Sequence, residues 1–422
     1  MPTVAADRRT LRRDDRRFFW LADTAWELFH RLSLDDARRY LTARAGQGFN
    51  TVQAVVLAEC NGLTVPTPDG LLPLVDLNPA TPDEAYLDHV DAVVGVANDL
   101  GLLVAVLPTW GRWVEDEDDR VFDVANAHTF GSKLARRLRG RAVCWMVGGD
   151  RPFGQRTVWR SLAEGLRDGD ATPRLMTAHP AGSHSTEPLH DEPWLDLHTC
   201  QTGHSHPVAE SARLLGELRQ LTPPKPYLDS EPPYESHPIG FRPPNGYFDA
   251  HAVRRAAYQA LVEGACGHTY GCHEIWQFAR DGDRWTDDRW SDTVRGTWRS
   301  ALDLPGATQM RHLKSLALSR PRVTPCPALL KRRGSPGHEA TAGLSDEATC
   351  AVIYCPVCPN PPFLTLDLAP LDGPAKLWRY NPRTGHADDL GDVAGTCELP
   401  PPDDGPDSVW VLDTVPRMPP GL

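Results

Sequence analysis

The stretch TPDEAYLDHVDAVVGVANDLGLLVAVLP (81–108) decides the fold, because a capped helix runs directly into a β-rich apolar segment. Thr81 is placed to cap the helix, Pro82 to occupy its first position and Glu84 to close a capping box. Leu87, Val90, Val94 and Ala97 then fall on one face, and Gly101 stops the helix. LLVAVLP (102–108) follows as a strand-length apolar run, and TVQAVVL (51–57) is a similar run upstream.

The same alternation extends in both directions. FFWLAD (18–23), AVCWMVGGD (142–150), RLMTAH (174–179), WLDLHTCQ (194–201), PYLDSE (226–231) and GHTYG (267–271) complete a set of eight β-like runs. Ser33 caps a helix with Leu34, Ala37, Leu41 and Ala45 on one face, while Pro207 and Asp249 open helices ending near Leu221 and Glu263. Eight strand–helix units in roughly 290 residues predict a closed (β/α)8 TIM barrel, a fold of about 250 residues in its usual form. An open doubly wound sheet is disfavoured, since no Gly-rich phosphate turn follows the first strand.

Beyond a last helix around 307–319 the character changes. LSRPRVTPCP (318–327) introduces a Pro-rich region with short β-like pieces, ATCAVIYCP, PFLTLDL, AKLWRYNP and DSVWVLD, which reads as a small β-sandwich. The expected organisation is a catalytic barrel over 1–320 and a sandwich over 321–422.

Bulk properties narrow the function. Among 422 residues, 56 acidic and 44 basic side chains leave a formal charge of −12, and no long basic run could neutralise a phosphate backbone, so nucleic acid is excluded as a partner. MPTVAADRRTLRRDDRR (1–17) lacks a signal-peptide core and no stretch is long enough to span a bilayer, which makes a cytoplasmic protein without a membrane partner the expectation. Ten scattered cysteines do not form the dense framework of a small secreted domain.

In such barrels, reacting groups come from the C-terminal ends of the strands. Those ends are Asp23, Trp26 and Glu27, then Glu59, Trp110, Asp150 and His179; His198, Gln201 and His204 follow, then Glu231, Tyr234 and Glu235, and finally Tyr270, His273, Glu274 and Trp276. Cleaving a glycosidic bond requires two carboxyl groups across a pocket, one donating a proton to the leaving oxygen and the other attacking the anomeric carbon or activating water. Asp150 and Glu231 end strands four and seven on opposite sides of the barrel, and Pro232 and Pro233 would hold Glu231 in place. To act as the acid, Asp150 needs a pKa well above about 3.9, which burial and the charge of Glu231 can supply. Glu235 and Glu274 remain open as alternative acids.

Asp23, Trp26, Trp110, Tyr234, Glu235, Tyr270 and Trp276 are candidate sugar contacts, the aromatics because their faces suit the apolar side of a sugar ring. His179, His198, Gln201 and His204 are candidates to bind hydroxyls or orient Glu231. HSH (204–206) admits a metal reading, but a metal hydrolase barrel usually carries such a pair after strand one, where this chain has Asp23-Thr24-Ala25; CPVC (355–358) has zinc-ligand spacing with Cys350 nearby, but no second CxxC or close His pair follows, so no metal is expected.

The segments RRFFWLADTAWELFHRLSLDDARRYLTARAGQGFNTVQAVVL, WMVGGDRP, TAHPAGSHST, WLDLHTCQTGH, YLDSEPPYE and GHTYGCHEIWQF, in this order, resemble the apiosidase-like glycoside hydrolases of family 140 and their uncharacterised relatives. The resemblance covers about residues 10–320, and LWRYNPRTG (377–385) resembles the β-sandwich of the collagen-binding type fused behind them. It implies a (β/α)8 hydrolase in which the aspartate of GGD, Asp150, is the acid/base and the glutamate of EPPYE, Glu231, is the nucleophile. The expected activity is retaining hydrolysis of an oligosaccharide or small glycoside, with a carbohydrate as partner and no cofactor. A barrel that binds carbohydrate without cleaving it, or a metal-dependent hydrolase, is the alternative.

Overall fold

The computed structural model describes residues 1–205, 207–283, 293–332, 339–357, 364–399 and 405–422, with only the backbone of 207–210 and 332. Eight parallel strands form the barrel: β1 (Trp20–Thr24), β2 (Thr51–Leu57), β3 (Leu103–Thr109), β4 (Val143–Gly148), β5 (Met176–His179), β6 (His198–Gln201), β7 (Tyr227–Asp229) and β8 (Gly267–Tyr270). They pair in sequence order, and β8 returns to β1 with Gly267 opposite Trp20 and Tyr270 opposite Asp23. Every residue of β2, β3 and β4 is buried, as expected for strands covered on both faces.

Between β5 and β6 the seam is held differently. Asp196 N donates to Met176 O at 2.8 Å, Met176 N returns a bond to the Asp196 carboxylate at 2.9 Å, and Thr177 Oγ1 donates to Leu197 O at 2.8 Å. A two-residue strand, His184–Ser185, runs antiparallel to β6.

Helices Leu34–Gly46, Glu84–Asp99, Val124–Arg137 and Arg156–Gly169 make the first four crossovers, and Pro207–Gln220 and Ala250–Val262 make the sixth and seventh. The fifth crossover departs from the eight-unit expectation: in place of an α-helix it carries the strand His184–Ser185 and a 3-10 turn, Glu187–Leu189. Pro180, Pro188 and Pro193 interrupt that segment and deny it helical hydrogen bonds.

Ser33 and Asp249 cap their helices, accepting from Asp36 N at 3.3 Å and Ala252 N at 2.9 Å. The cap expected at Thr81 lies two residues later, at Asp83, whose carboxylate accepts from Tyr86 N at 2.9 Å. The Thr81 hydroxyl is instead committed to the preceding loop, donating toward Val75 O and Asn78 O at 3.2 Å.

After helix Pro305–Ser319 the chain forms a six-stranded antiparallel sheet and a three-stranded one. Strand Cys350–Cys355 shows how the period of two divides its side chains. Ala351 and Ile353 pack with Leu366, Trp410 and Leu412 between the two sheets, whereas Val352 and Tyr354 join the barrel's apolar cluster. At this junction Tyr354 stacks on Tyr258 at 5.3 Å, and the buried Asp407 receives two bonds from Arg254, both 2.9 Å, and one from Arg383 at 2.7 Å. Among the described residues all cysteines are free, and no helix is long and apolar enough to cross a membrane.

Candidate active site

Glu231 is fixed by its backbone before its carboxyl does anything. Beyond β7, Asp229 Oδ1 accepts from Glu231 N at 3.2 Å, Glu231 O accepts from Gly203 N at 3.0 Å, and Ser230 O accepts from Gln53 Nε2 at 2.7 Å. With Pro232 and Pro233 next, the chain cannot coil into a helix, so Glu231 stays at the strand's end. Asp229 is itself held by the Thr202 hydroxyl at 2.6 Å, and burial pushes its pKa up to about 7.

The Glu231 carboxyl, 5% exposed, accepts from His179 Nε2 on Oε2 at 3.0 Å and from His204 Nε2 on Oε1 at 3.1 Å. Burial opposes its ionisation, but these two hydrogen bonds, and the positive charge the imidazoles can carry, overcome that and lower its pKa to about 2. Ser230 Oγ, 3.1 Å from His179 Nδ1, orders the ring from behind. Trp26, 5.0 Å away between ring centres, packs edge-on against it.

Asp150 arrives by a sharper device. Gly148, Gly149 and Asp150 all have positive φ, +99°, +135° and +55°, and reverse the chain immediately after β4. A Cβ on Gly149 would stand 2.8 Å from both Gly111 N and the Trp110 ring, which explains why GGD needs glycine there. The turn is tied to its neighbours through Gly149 N to His179 O at 3.0 Å and Gly111 N to Gly149 O at 3.1 Å. Arg151 turns to Asp116, with bonds of 2.8 and 2.9 Å, so its guanidinium is engaged away from the Asp150 carboxyl.

Asp150 Oδ1 is buried, and Gln201 is the side chain within reach to hydrogen-bond this carboxyl group. Burial, then the negative charge of Glu231, raises its pKa to about 6 against the opposing influence of His179. One side-chain atom each of Asp150, His179 and Glu231 lies within 4.8 Å of the other two. Two carboxyl groups therefore meet in one space with affinities for a proton pushed in opposite directions, the arrangement that separates an acid from a nucleophile.

That space is a cavity of about 330 Å³. Trp26, Trp110, Trp276 and Phe241 supply its apolar walls, and Gln201, Thr202, His204 and His237 line it with polar groups. Tyr234 lies against the chain so closely that a Cβ on Gly271 would come within 2.0 Å of its ring, and its hydroxyl is buried beside Thr24 and Glu231.

Of the residues singled out in the sequence, Trp26, Trp110, Asp150, Gln201, His204, Glu231, Tyr234 and Trp276 line the cavity, and His179 stands directly behind Glu231. Asp23, His198, Glu235, Tyr270 and Glu274 do not line it. Asp23 is fully buried, bonded to Tyr40 Oη at 2.5 Å and Arg44 Nε at 2.6 Å, because the helix after β1 turns Arg44 inward. Glu235 accepts from Tyr270 Oη at 2.6 Å and from Gly306 N at 3.2 Å, so both side chains anchor the start of helix Pro305–Ser319. His198 bonds Thr186 Oγ1 at 2.8 Å and His190 Nδ1 at 3.0 Å. Glu274 is likewise engaged, by Ser236 Oγ at 2.8 Å and Arg295 N at 3.1 Å. His206 of HSH and Cys358 of CPVC lie outside the described residues.

Sequence reasoning passed over His237 and Phe241, which the long loop after β7 carries to the cavity, and it named Glu59, which follows β2 and lines the cavity with Asp150, without giving it a role. Its pKa is raised to about 8, by burial first and by the negative charge of Asp150 next.

The model of the apiosidase-like catalytic domain matches residues 5–324. The chain belongs to the apiosidase-like family. By family and fold it is a glycoside hydrolase. A crystal structure of a glycoside hydrolase family 5 protein from Bacteroides vulgatus is 27% identical to this apiosidase-like chain, with a TM-score of 0.88 over 100% of this chain and 96% of that one. A second solved structure, described as a glycoside hydrolase, is 25% identical with a TM-score of 0.87, covering 98% and 96%. A third, at 13% identity and a TM-score of 0.65 over 98% and 82%, shares the fold. No functionally curated protein matches this apiosidase-like chain.

Proposed function

We propose that this apiosidase-like protein hydrolyses a glycosidic bond in an oligosaccharide or small glycoside by a retaining double displacement. Asp150 donates its proton to the leaving oxygen while Glu231 attacks the anomeric carbon, forming a glycosyl-enzyme. Asp150, now ionised, takes a proton from water, and the resulting attack releases the sugar and restores both carboxyl groups.

The observation that carries this reading is that one carboxyl oxygen of Asp150 and one of Glu231 lie within 4.8 Å of each other. An inverting enzyme keeps its carboxyl groups about 6.5–9.5 Å apart to admit a water, whereas a retaining pair sits about 5–5.5 Å apart. The pKa values support the same roles, since Glu231 is ionised above about 2 and Asp150 keeps its proton up to about 6.

This chemistry asks for no cofactor. The catalytic unit is proposed to end near residue 320, because helix Pro305–Ser319 closes the barrel and Val323–Pro325 already belongs to the six-stranded sheet. The sandwich, packed on the barrel through Asp407 and Tyr354, is proposed to stabilise it.

A panel of aryl glycosides that includes furanosides tests the activity. The native protein is expected to release the aryl group from at least one member, and Asp150→Asn and Glu231→Gln to lose that turnover. Undiminished turnover in both variants would overturn the assignment. Metal analysis of the active protein separates it from a metal-dependent hydrolase.

A further inference from the structure

Carboxyl groups around the mouth of the barrel are nearly all satisfied by the protein. Glu27 accepts from Cys60 N at 2.9 Å and His30 Nδ1 at 2.7 Å, Asp23 from Tyr40 and Arg44, Glu235 from Tyr270 and Gly306, and Glu274 from Ser236 and Arg295. Glu59 is the exception that the mechanism above does not use. It lines the same cavity as Asp150 and Glu231, and no described residue hydrogen-bonds its carboxyl group. Glu59 is partly exposed to the cavity, so its carboxyl group is open to water and to the hydroxyls of a ligand that displaces that water.

We propose that Glu59 binds hydroxyl groups of the sugar unit held between Asp150 and Glu231, and so selects substrates carrying neighbouring free hydroxyls at that position. This rests on the reading of the cavity as a sugar site. A carboxyl group with both oxygens free matches a pair of adjacent hydroxyls. With a pKa raised to about 8 by burial and by Asp150, Glu59 is protonated when the enzyme works, so it can donate to one hydroxyl and accept from the other. As a neutral group it also adds no second negative charge beside Asp150. Trp26 and Trp110, 5.3 Å apart between ring centres and nearly buried, form part of the cavity's apolar wall.

Isothermal titration calorimetry at pH 6 tests this without relying on turnover. The native protein, Glu59→Ala and Glu59→Gln are titrated with neutral pentoses and hexoses, including methyl furanosides and the deoxy derivative at each ring hydroxyl. At least one sugar is expected to bind the native protein, with affinity falling about tenfold or more in Glu59→Ala and only a few-fold in Glu59→Gln, which keeps a donor and an acceptor. A deoxy sugar lacking one of the two contacted hydroxyls is expected to lose less affinity than the parent sugar when Glu59 is replaced by Ala, because part of the Glu59 interaction is already gone. If Glu59→Ala fails to fold, the deoxy series on native protein and Glu59→Gln carries the comparison. Equal affinity of native and Glu59→Ala protein, a deoxy penalty undiminished in the variants, or no sugar bound by the native protein would each overturn the proposal. Glu231→Gln is assayed alongside for turnover: native activity there would sink the catalytic assignment, while the Glu59 result is read from binding alone.

Discussion

Glu231 Oε2 accepts a hydrogen bond from His179 Nε2 at 3.0 Å, and this contact makes a fully buried histidine the support of the proposed nucleophile. Removing the ring takes away one of two donors that keep the carboxyl ionised, and burial then drives its pKa upward. His179→Ala is expected to lower kcat/KM by about ten- to a hundredfold, the equivalent of one hydrogen bond to a charged group at about 1.5–3 kcal/mol. A merely structural effect would leave the pH profile in place; here its acidic limb is expected to move to higher pH.

The pH profile of the native protein has a sign fixed by the two carboxyl groups. Glu231 must be ionised, so activity rises as pH passes upward through about 2, and Asp150 must hold its proton, so activity falls as pH passes upward through about 6. A kcat/KM profile measured from pH 3 to 9 is expected to be flat or nearly so in the acid range and to decline above about 6. A profile rising steadily toward pH 9 would contradict the assignment of Asp150 as the acid.

Gly271→Ala probes the wall opposite. A methyl group there would press into Tyr234, whose ring cannot retreat without disturbing His204, 4.4 Å away between ring centres. Overpacking of this kind costs about 1–3 kcal/mol. The variant is expected to unfold at lower urea concentration and to lose activity as His204 shifts from Glu231.

Much of the barrel was legible because strand-length apolar runs and capped amphipathic helices alternate, and because strand ends concentrate polar residues. The fifth crossover was harder, since prolines interrupting a segment forbid a helix without saying what replaces it. Asp23 and Glu235 show a deeper limit. Asp23 lies near the end of β1 and Glu235 beyond β7, much as Asp150 and Glu231 lie at strand ends, yet Arg44 and the start of helix Pro305–Ser319 claim them through contacts that spacing along the chain does not reveal. Glu59 is the converse case, an acid after a strand whose proposed role rests on its carboxyl having no hydrogen-bond partner among the described residues.

The junction between barrel and sandwich gives a prediction about stability alone. Asp407→Ala leaves the buried Arg254 and the partly buried Arg383 without their shared carboxylate. Breaking a buried pair by removing one partner costs about 3–5 kcal/mol, so urea unfolding is expected to shift by that amount while a folded preparation retains native kcat.

The nucleophile can be caught directly. Asp150→Asn, incubated with an aryl glycoside bearing a reactive leaving group, is expected to accumulate the glycosyl-enzyme, because the first step then needs little acid while the second lacks its base. Mass spectrometry of the intact protein is expected to show a gain of one sugar unit, mapped by peptide digestion to Glu231 and absent when Glu231→Gln is added. Rapid turnover with no adduct, or an adduct on any other residue, would contradict a retaining mechanism through Glu231.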